Sequence, residues 1–194
     1  MLKKIAESAA RYFKKIPILG RQCFWILYWC YKITGWHIRH REWDFIFDHL
    51  PRLENWQDVS VLDVGCSRNL LCHELKARGY DLLGIDLEDP GFKYPGQFFK
   101  GDITQKTFVD MDFITCISVL EHINDRKTAL DNMIKSLRVG GRLLLTIPTF
   151  EFAQGHPGEE FNYRSLYGIL PNNSEVIEYT ERAGKICCSI NRLS

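Results

Sequence analysis

The sequence predicts an α/β fold: a doubly wound, mostly parallel sheet finished by an antiparallel C-terminal hairpin, with an N-terminal helical arm ahead of it. Three observations carry that prediction. From Ser60 to Pro148, short apolar runs alternate with longer runs of helical periodicity. That is the pattern of strand–helix–strand units with right-handed crossovers. Glycine, proline or an acidic residue closes the runs, as at Gly65, Gly79, Asp86 and Pro148. The last two apolar runs, "SEVIEYT" and "KICCSI", are separated only by "ERAG". Such a spacer is too short for a crossover helix and suits a hairpin.

The elements follow in order. In the arm, Leu2, Ile5, Ala6, Ala9, Phe13 and Ile16 fall at helical spacing between lysines and Arg11, and Pro17 ends the segment. Then comes "CFWILYWCY", an unbroken apolar and aromatic run from Cys23 to Tyr31, flanked by Arg21 and Lys32. A membrane-spanning helix takes about 20 such residues, so this run does not span. It also lacks the small-residue cleavage site of a signal peptide. A further helix is expected from Trp43 to Leu50, with Trp43, Ile46, Phe47 and Leu50 on one face and Pro51 stopping it. The arm is read as residues 1–55 and the domain as residues 56–194. Within the domain, "VSVLDVG" reads as a strand, "NLLCHELKARG" as a helix ending at Gly79, and "YDLLGIDL" as a strand. "GQFFKGDI" and "MDFITCISVLEHI" hold further strands, "DRKTALDNMIKSLRVGG" a helix closed by paired glycines, and "RLLLTIP" a strand. After the polar loop "EFAQGHPGEE", "NYRSLYGIL" reads as a helix stopped by Pro171, and the hairpin completes the chain.

Composition narrows the class. The 194 residues allow one domain of ordinary size, and 45% apolar with 25% charged content is that of a globular protein. The net charge of +1 is unevenly spread: residues 1–42 carry nine basic side chains against two acidic ones, so the remainder is acidic. Trp25, Trp29, Trp36 and Trp43 interleave with that basic charge. This composition suits a cap over the domain, contact with an anionic membrane surface, or an oligomer contact. No nucleic-acid motif accompanies it, so nucleic acid is not an expected partner. The oligomeric state stays open. Seven scattered cysteines, odd in number and without a C-x-x-C pair, argue against zinc or a disulfide framework. No residue is assigned to a metal. A reducing, cytoplasmic compartment follows, with attachment to the inner face of a membrane as the variant that the arm allows.

The stretch "VLDVGCSRNL", Val61 to Leu70, occupies the place of a dinucleotide-binding turn. That turn wants G-x-G-x-x-G after a strand, and an acid about 20 residues on. Here Gly65 holds the first position, while Ser67 and Leu70 stand where the other two glycines belong. The second glycine lets backbone approach a pyrophosphate, and a serine partly closes that approach. Asp63 adds a carboxylate just ahead of the turn, poorly placed for phosphate but useful for a ligand with an ammonium and a sulfonium. Asn69 tolerates left-handed backbone angles and can stand in for a glycine. Asp86 ends the next strand, where a carboxylate can accept both ribose hydroxyls. The chemistry favours S-adenosylmethionine over NAD. Asp63, Asp86, Asp102 and Ser118 all fall at or just past strand ends, where one crevice can collect them.

With those residues in place, the chain resembles the class I S-adenosylmethionine-dependent methyltransferases, a Rossmann-like family, from about Val59 to Pro148. "VLDVGCS" is similar to the family's first motif, "GIDL" to its second, "GDI" to its third, "FITCISVLEHI" to its fourth-strand motif and "LRVGGRLLLTIP" to its helix–GG–strand passage. Ser67 and Asn69 depart from the family's glycine turn. The resemblance implies a cofactor site of Asp63, Gly65, Cys66, Ser67, Asp86, Leu87, Asp102, Ile103 and Ser118. Within it Asp86 would hold ribose hydroxyls, and Asp102 the adenine amino group beside Ile103. A narrower similarity, through "ISVLEHI" and "GYDLLGIDL", is to small methyltransferases of surface-polysaccharide and lipid-linked sugar synthesis.

Methyl transfer is an in-line displacement, for which a protein mostly supplies alignment. A base is needed only where the nucleophile must lose a proton. The candidates are Glu121 and His122, just beyond the fourth strand, and His156 in the loop after the fifth. The expected activity is methyl transfer to a small-molecule or lipid-linked acceptor, with a sugar as one form. The alternatives are a protein that binds S-adenosylmethionine without turnover, acting as a partner or regulator, and an NAD-dependent oxidoreductase. The missing glycines and the lack of a Tyr-x-x-x-Lys pair count against the last.

Overall fold

The computed structural model describes residues 40–53, 58–66, 70–91, 93–148, 163–182 and 184–194. Most of the arm lies outside them, as do Ser67, Arg68, Asn69 and the loop that carries His156. One compact unit comprises Arg41–Pro90 and Tyr94–Ser194.

Its elements are α1 (His40–His49), β1 (Ser60–Val64), α2 (Leu71–Ala77), β2 (Asp81–Asp86), β3 (Gln97–Lys100) and β4 (Met111–Ile117). A single 3-10 turn (Leu120–His122) precedes α3 (Arg126–Ser136), β5 (Leu137–Pro148), α4 (Tyr163–Ile169), β6 (Ser174–Arg182) and β7 (Lys185–Arg192). The seven strands form one sheet in the order β3-β2-β1-β4-β5-β7-β6. The pairs among β1 to β5 are parallel, and β7 runs antiparallel between β5 and β6. The expected α/β sheet with an antiparallel end is therefore present. The hairpin folds back so that its second strand, not its first, pairs with β5.

The strands are apolar because both faces of the sheet are covered. On one face Leu62, Val64, Ile114, Cys116, Leu143, Leu145 and Ile147 pack with Ala129, Leu130, Met133 and Ile134 of α3 and Leu166 of α4. Each such Leu or Ile withdrawn from water contributes about 1.5–3 kcal/mol. Asp125 caps α3, its side chain accepting from the backbone N–H of Thr128. The opposite face carries the alternate residues of the same strands, Asp63, Thr115 and Thr146 among them. Helix α1 falls within the stretch read from sequence as the arm, yet Trp43, Phe45 and Ile46 are buried in this unit. Phe47, expected on the same face, is half-buried beneath the Arg78 guanidinium at 3.7 Å.

Candidate active site

The strand order reverses between β1 and β4. In open α/β sheets that switch point opens a crevice at the carboxyl ends of the strands, where ligands bind. Gly65 makes the turn at the end of β1. Its φ is +71°, and a Cβ there would lie 2.2 Å from the Val119 side chain. Glycine is required on both counts, and the turn is pinned by the Gly65 N–H donating to the Ile85 carbonyl at 2.9 Å. Gly84 opens space of a second kind. A Cβ on it would fall within 2.7 Å of both Cys66 Sγ and the Tyr94 ring. Cys66 is fully buried, and that burial pushes its thiol well above the ordinary range, so it is a packing group.

Asp63 is only 1% exposed. Thr115 Oγ1 donates to its Oδ1 at 2.8 Å, and its Oδ2 has no hydrogen-bond partner. Burial raises its pKa from 3.8 to about 7, against the lowering effect of Thr115, and the nearby charge of Asp86 adds to the rise. A buried carboxylate with one unsatisfied oxygen fits a ligand that brings a cation. Asp86 ends β2, and its Oδ1 accepts from the backbone N–H of Glu88 at 3.0 Å. Leu87, next to it, is 65% exposed, a large apolar side chain available to cover a ligand ring. Asp102 follows β3, and its Oδ1 accepts from the Thr104 N–H at 2.8 Å. Ile103 is buried, with its carbonyl held by the Asn132 side chain. Asp63, Asp86 and Asp102 thus stand at the carboxyl ends of three neighbouring strands. Their acceptor oxygens suit the ammonium, ribose hydroxyls and adenine amine of S-adenosylmethionine.

Ser118 differs from its neighbours. It has φ +50°, a conformation that costs a non-glycine residue about 1–3 kcal/mol. Surrounding bonds hold it there: its N–H donates to the Thr146 carbonyl at 2.9 Å and its hydroxyl to Glu42 Oε1 at 2.9 Å. Lys185 Nζ donates to the same hydroxyl at 2.8 Å. Ser118, predicted among the cofactor residues, is therefore joined to Glu42 and Lys185, two residues that sequence reasoning did not select. No local signal marked them, because their partners are 76 and 67 positions away. Beyond Ser118, the 3-10 turn buries Glu121 and leaves the His122 side chain 51% exposed, with Nε2 3.9 Å from Glu121 Oε1. The structure thus brings Glu121 and His122 together, while His156 and Ser67 lie outside the described residues. Among the described residues, no three His, Cys, Asp or Glu side chains group as a metal site. No described helix is long and apolar enough to cross a membrane.

Fold and crevice together define the class, the Rossmann-like methyltransferases that use S-adenosylmethionine. The chain belongs to the methyltransferase-domain family, whose model matches residues 36–184. Among solved structures, the N-methyltransferase NodS from Bradyrhizobium japonicum, in complex with S-adenosylhomocysteine, superposes with a TM-score of 0.63. It has 19% identity, over 80% of this chain and 87% of that one. A methyltransferase from Mesorhizobium loti gives 0.65 at 13% identity, over 78% and 97% of the two chains. At these identities the likeness shows the fold. A ubiquinone biosynthesis O-methyltransferase of Idiomarina loihiensis is 30% identical over 99 residues, 44% of this chain and 41% of its own length. One from Pseudomonas savastanoi is 24% identical over 131 residues, 57% of this chain and 56% of its own length. The matches span about half the length of these relatives. The chain thus carries a methyltransferase domain.

Proposed function

We propose that this methyltransferase acts on an oxygen of a small-molecule acceptor, held beside the turn that follows β4. The observation that carries this reading is the crevice itself. Asp63 and Asp86 suit the cofactor at the ends of β1 and β2, and Glu121 with His122 stands one strand further on. The relatives named as O-methyltransferases support an oxygen acceptor. When bound, S-adenosylmethionine supplies a methyl group already activated on a sulfonium. Asp63 orients the ammonium end, Asp86 the ribose and Asp102 the adenine. The buried Leu120 and Ile103 help exclude water. His122 takes the proton of the acceptor hydroxyl at an exposed ring nitrogen, and the Glu121 carboxylate favours the charged ring that results.

Labelled S-adenosylmethionine, offered with soluble and organic-extractable cell fractions, tests this reading. Label is expected on a small molecule, alkali-stable as an ether methyl. His122→Ala should lower kcat by about 10²–10⁴-fold while S-adenosylhomocysteine still binds. Label confined to amines, or unchanged turnover in that variant, overturns it. The basic and aromatic sequence of residues 1–42 supports a lipid-linked form of the acceptor, and label in the organic extract would mark it.

A further inference from the structure

Helix α3 carries two polar side chains one turn apart, Asn132 and Ser136, beside the buried Ala129 and Met133. Asparagine is a poor residue for a helix interior. Here its side chain reaches out of the helix: Asn132 Nδ2 donates to the Ile103 carbonyl at 2.8 Å, 29 positions back along the chain. That carbonyl belongs to the Ile103–Thr104 peptide unit, whose N–H donates to Asp102 Oδ1 at 2.8 Å. A peptide unit is planar, so its carbonyl and its N–H point in opposite directions and turn together. Holding the carbonyl from α3 therefore holds the N–H, and the N–H holds the Asp102 carboxylate. Ser136 ties the same loop further along. Its hydroxyl accepts from the Phe108 N–H at 2.8 Å and donates to the Asn132 carbonyl at 2.6 Å. That second tie acts at Phe108 and not on the peptide unit beside Asp102.

We infer that Asn132 is a positioning residue for base recognition: it orients the Asp102 carboxylate through the Ile103–Thr104 peptide, and so sets the preference for a base that carries an amino group. This rests on the reading that Asp102 receives the adenine amine. A carboxylate oxygen accepts and does not donate, so it attracts an exocyclic amine and repels an exocyclic carbonyl. That selection is only as sharp as the carboxylate is still, and a group free to turn away discriminates less. Ile103 is buried, so without Asn132 its carbonyl would turn toward another partner. The Thr104 N–H would turn with it and release Asp102 Oδ1. The loss would fall on the amine contact, although Asn132 itself touches only the loop.

The test is calorimetric titration of the full chain with S-adenosylhomocysteine and with S-inosylhomocysteine, which bears a carbonyl in place of the amine. Wild type should prefer the amine form by about tenfold or more. Asn132→Leu keeps the volume and the helix but drops the donor. It should weaken S-adenosylhomocysteine by about tenfold, while S-inosylhomocysteine binds as it does to wild type. Asn132→Asp at pH 8, which offers an acceptor where the donor was, should do the same. Ser136→Ala, which loosens the loop at Phe108, should lower the melting temperature and leave the preference intact. Asn132→Leu combined with Asp102→Ala should lose no more preference than Asp102→Ala alone. A preference that survives both Asn132 variants, equal weakening of the two ligands, loss of preference in Ser136→Ala, or additive losses in the double variant overturns the inference. Binding of neither ligand by wild type, or binding of both without preference, would instead overturn the reading of Asp102 and the inference with it. Wild-type affinity of Asn132→Leu for S-inosylhomocysteine also shows that the variant is folded.

Discussion

At Asp63, burial and the proposed cofactor contact would pull the proton equilibrium in opposite directions. Without ligand, burial favours the neutral acid and raises the pKa to about 7. An ammonium beside Oδ2 favours the carboxylate. S-adenosylhomocysteine keeps that ammonium, so its affinity should fall as pH drops below 7, by up to about tenfold per unit. Calorimetric titration from pH 5.5 to 8.5 reads this directly, and Asp63→Asn should give a weaker, flat profile. Stability has the reverse sign. The folded pKa lies above the unfolded value, so the folded chain binds more protons between pH 4 and 7, and stability is lost as pH rises through that window. Asp63→Asn should therefore stabilise the ligand-free protein at pH 8, by up to about 4 kcal/mol. A lower melting temperature for that variant at pH 8 would contradict this account. Asp86→Ala removes a carboxylate from hydroxyl partners and should weaken S-adenosylhomocysteine by about 1.5–3 kcal/mol. Both acids were legible in the sequence because each ends a strand at a diagnostic spacing. The shape of the Asp63 environment was not, since Thr115 reaches it from 52 positions away.

At the scale of elements, the turn after β1 and helix α1 hold the crevice from two sides. Gly65→Ala would strain a positive φ and drive a methyl into Val119. The two effects together should cost about 2–4 kcal/mol, seen as a lower urea midpoint. Helix α1 is docked by Trp43, Phe45 and Ile46 and also by the Glu42 carboxylate. Glu42→Ala would leave the Ser118 and Thr146 hydroxyls without the carboxylate oxygen they donate to, and would remove the charge 3.9 Å from Lys185 Nζ. A fully buried pair broken in this way costs about 3–5 kcal/mol. Lys185 is partly exposed, so about 2–3 kcal/mol is the expected loss, and Glu42→Gln, which keeps an acceptor oxygen, should lose less. Most strands and helices were legible because short apolar runs alternate with stretches of 3.6 periodicity between glycines and prolines, although α3 ends at Ser136 and the paired glycines lie within β5. The docking of α1 was not. Its apolar stripe announced a buried face but not the sheet it would cover, and Glu42 looked like an ordinary acid in a first helical turn.

At the scale of the molecule, the sheet order sets two groups of polar side chains about one switch point. Strands β1, β2 and β3 lie on one side of the reversal and carry the three acids, while β4 and β5 lie on the other with Ser118 and Thr146. The antiparallel β7 then adds a cation to that second side, since its first residue, not its last, meets the carboxyl ends. Sequence patterning predicted the hairpin but not this insertion. Adjacency along the chain would have set β6 against β5, and only long-range pairing decides otherwise. The division predicts ligand behaviour for the whole chain. S-adenosylhomocysteine at 100 times its Kd should add about 2.7 kcal/mol. For a domain of this size that raises the melting temperature by roughly 5–10 °C. NAD at the same concentration should give no shift. Its pyrophosphate needs backbone approach at the second and third glycine positions, which are Ser67 and the buried Leu70. The acids that suit a cation also repel its phosphates. A shift with NAD and none with S-adenosylhomocysteine would overturn the assignment of the three acids to that cofactor.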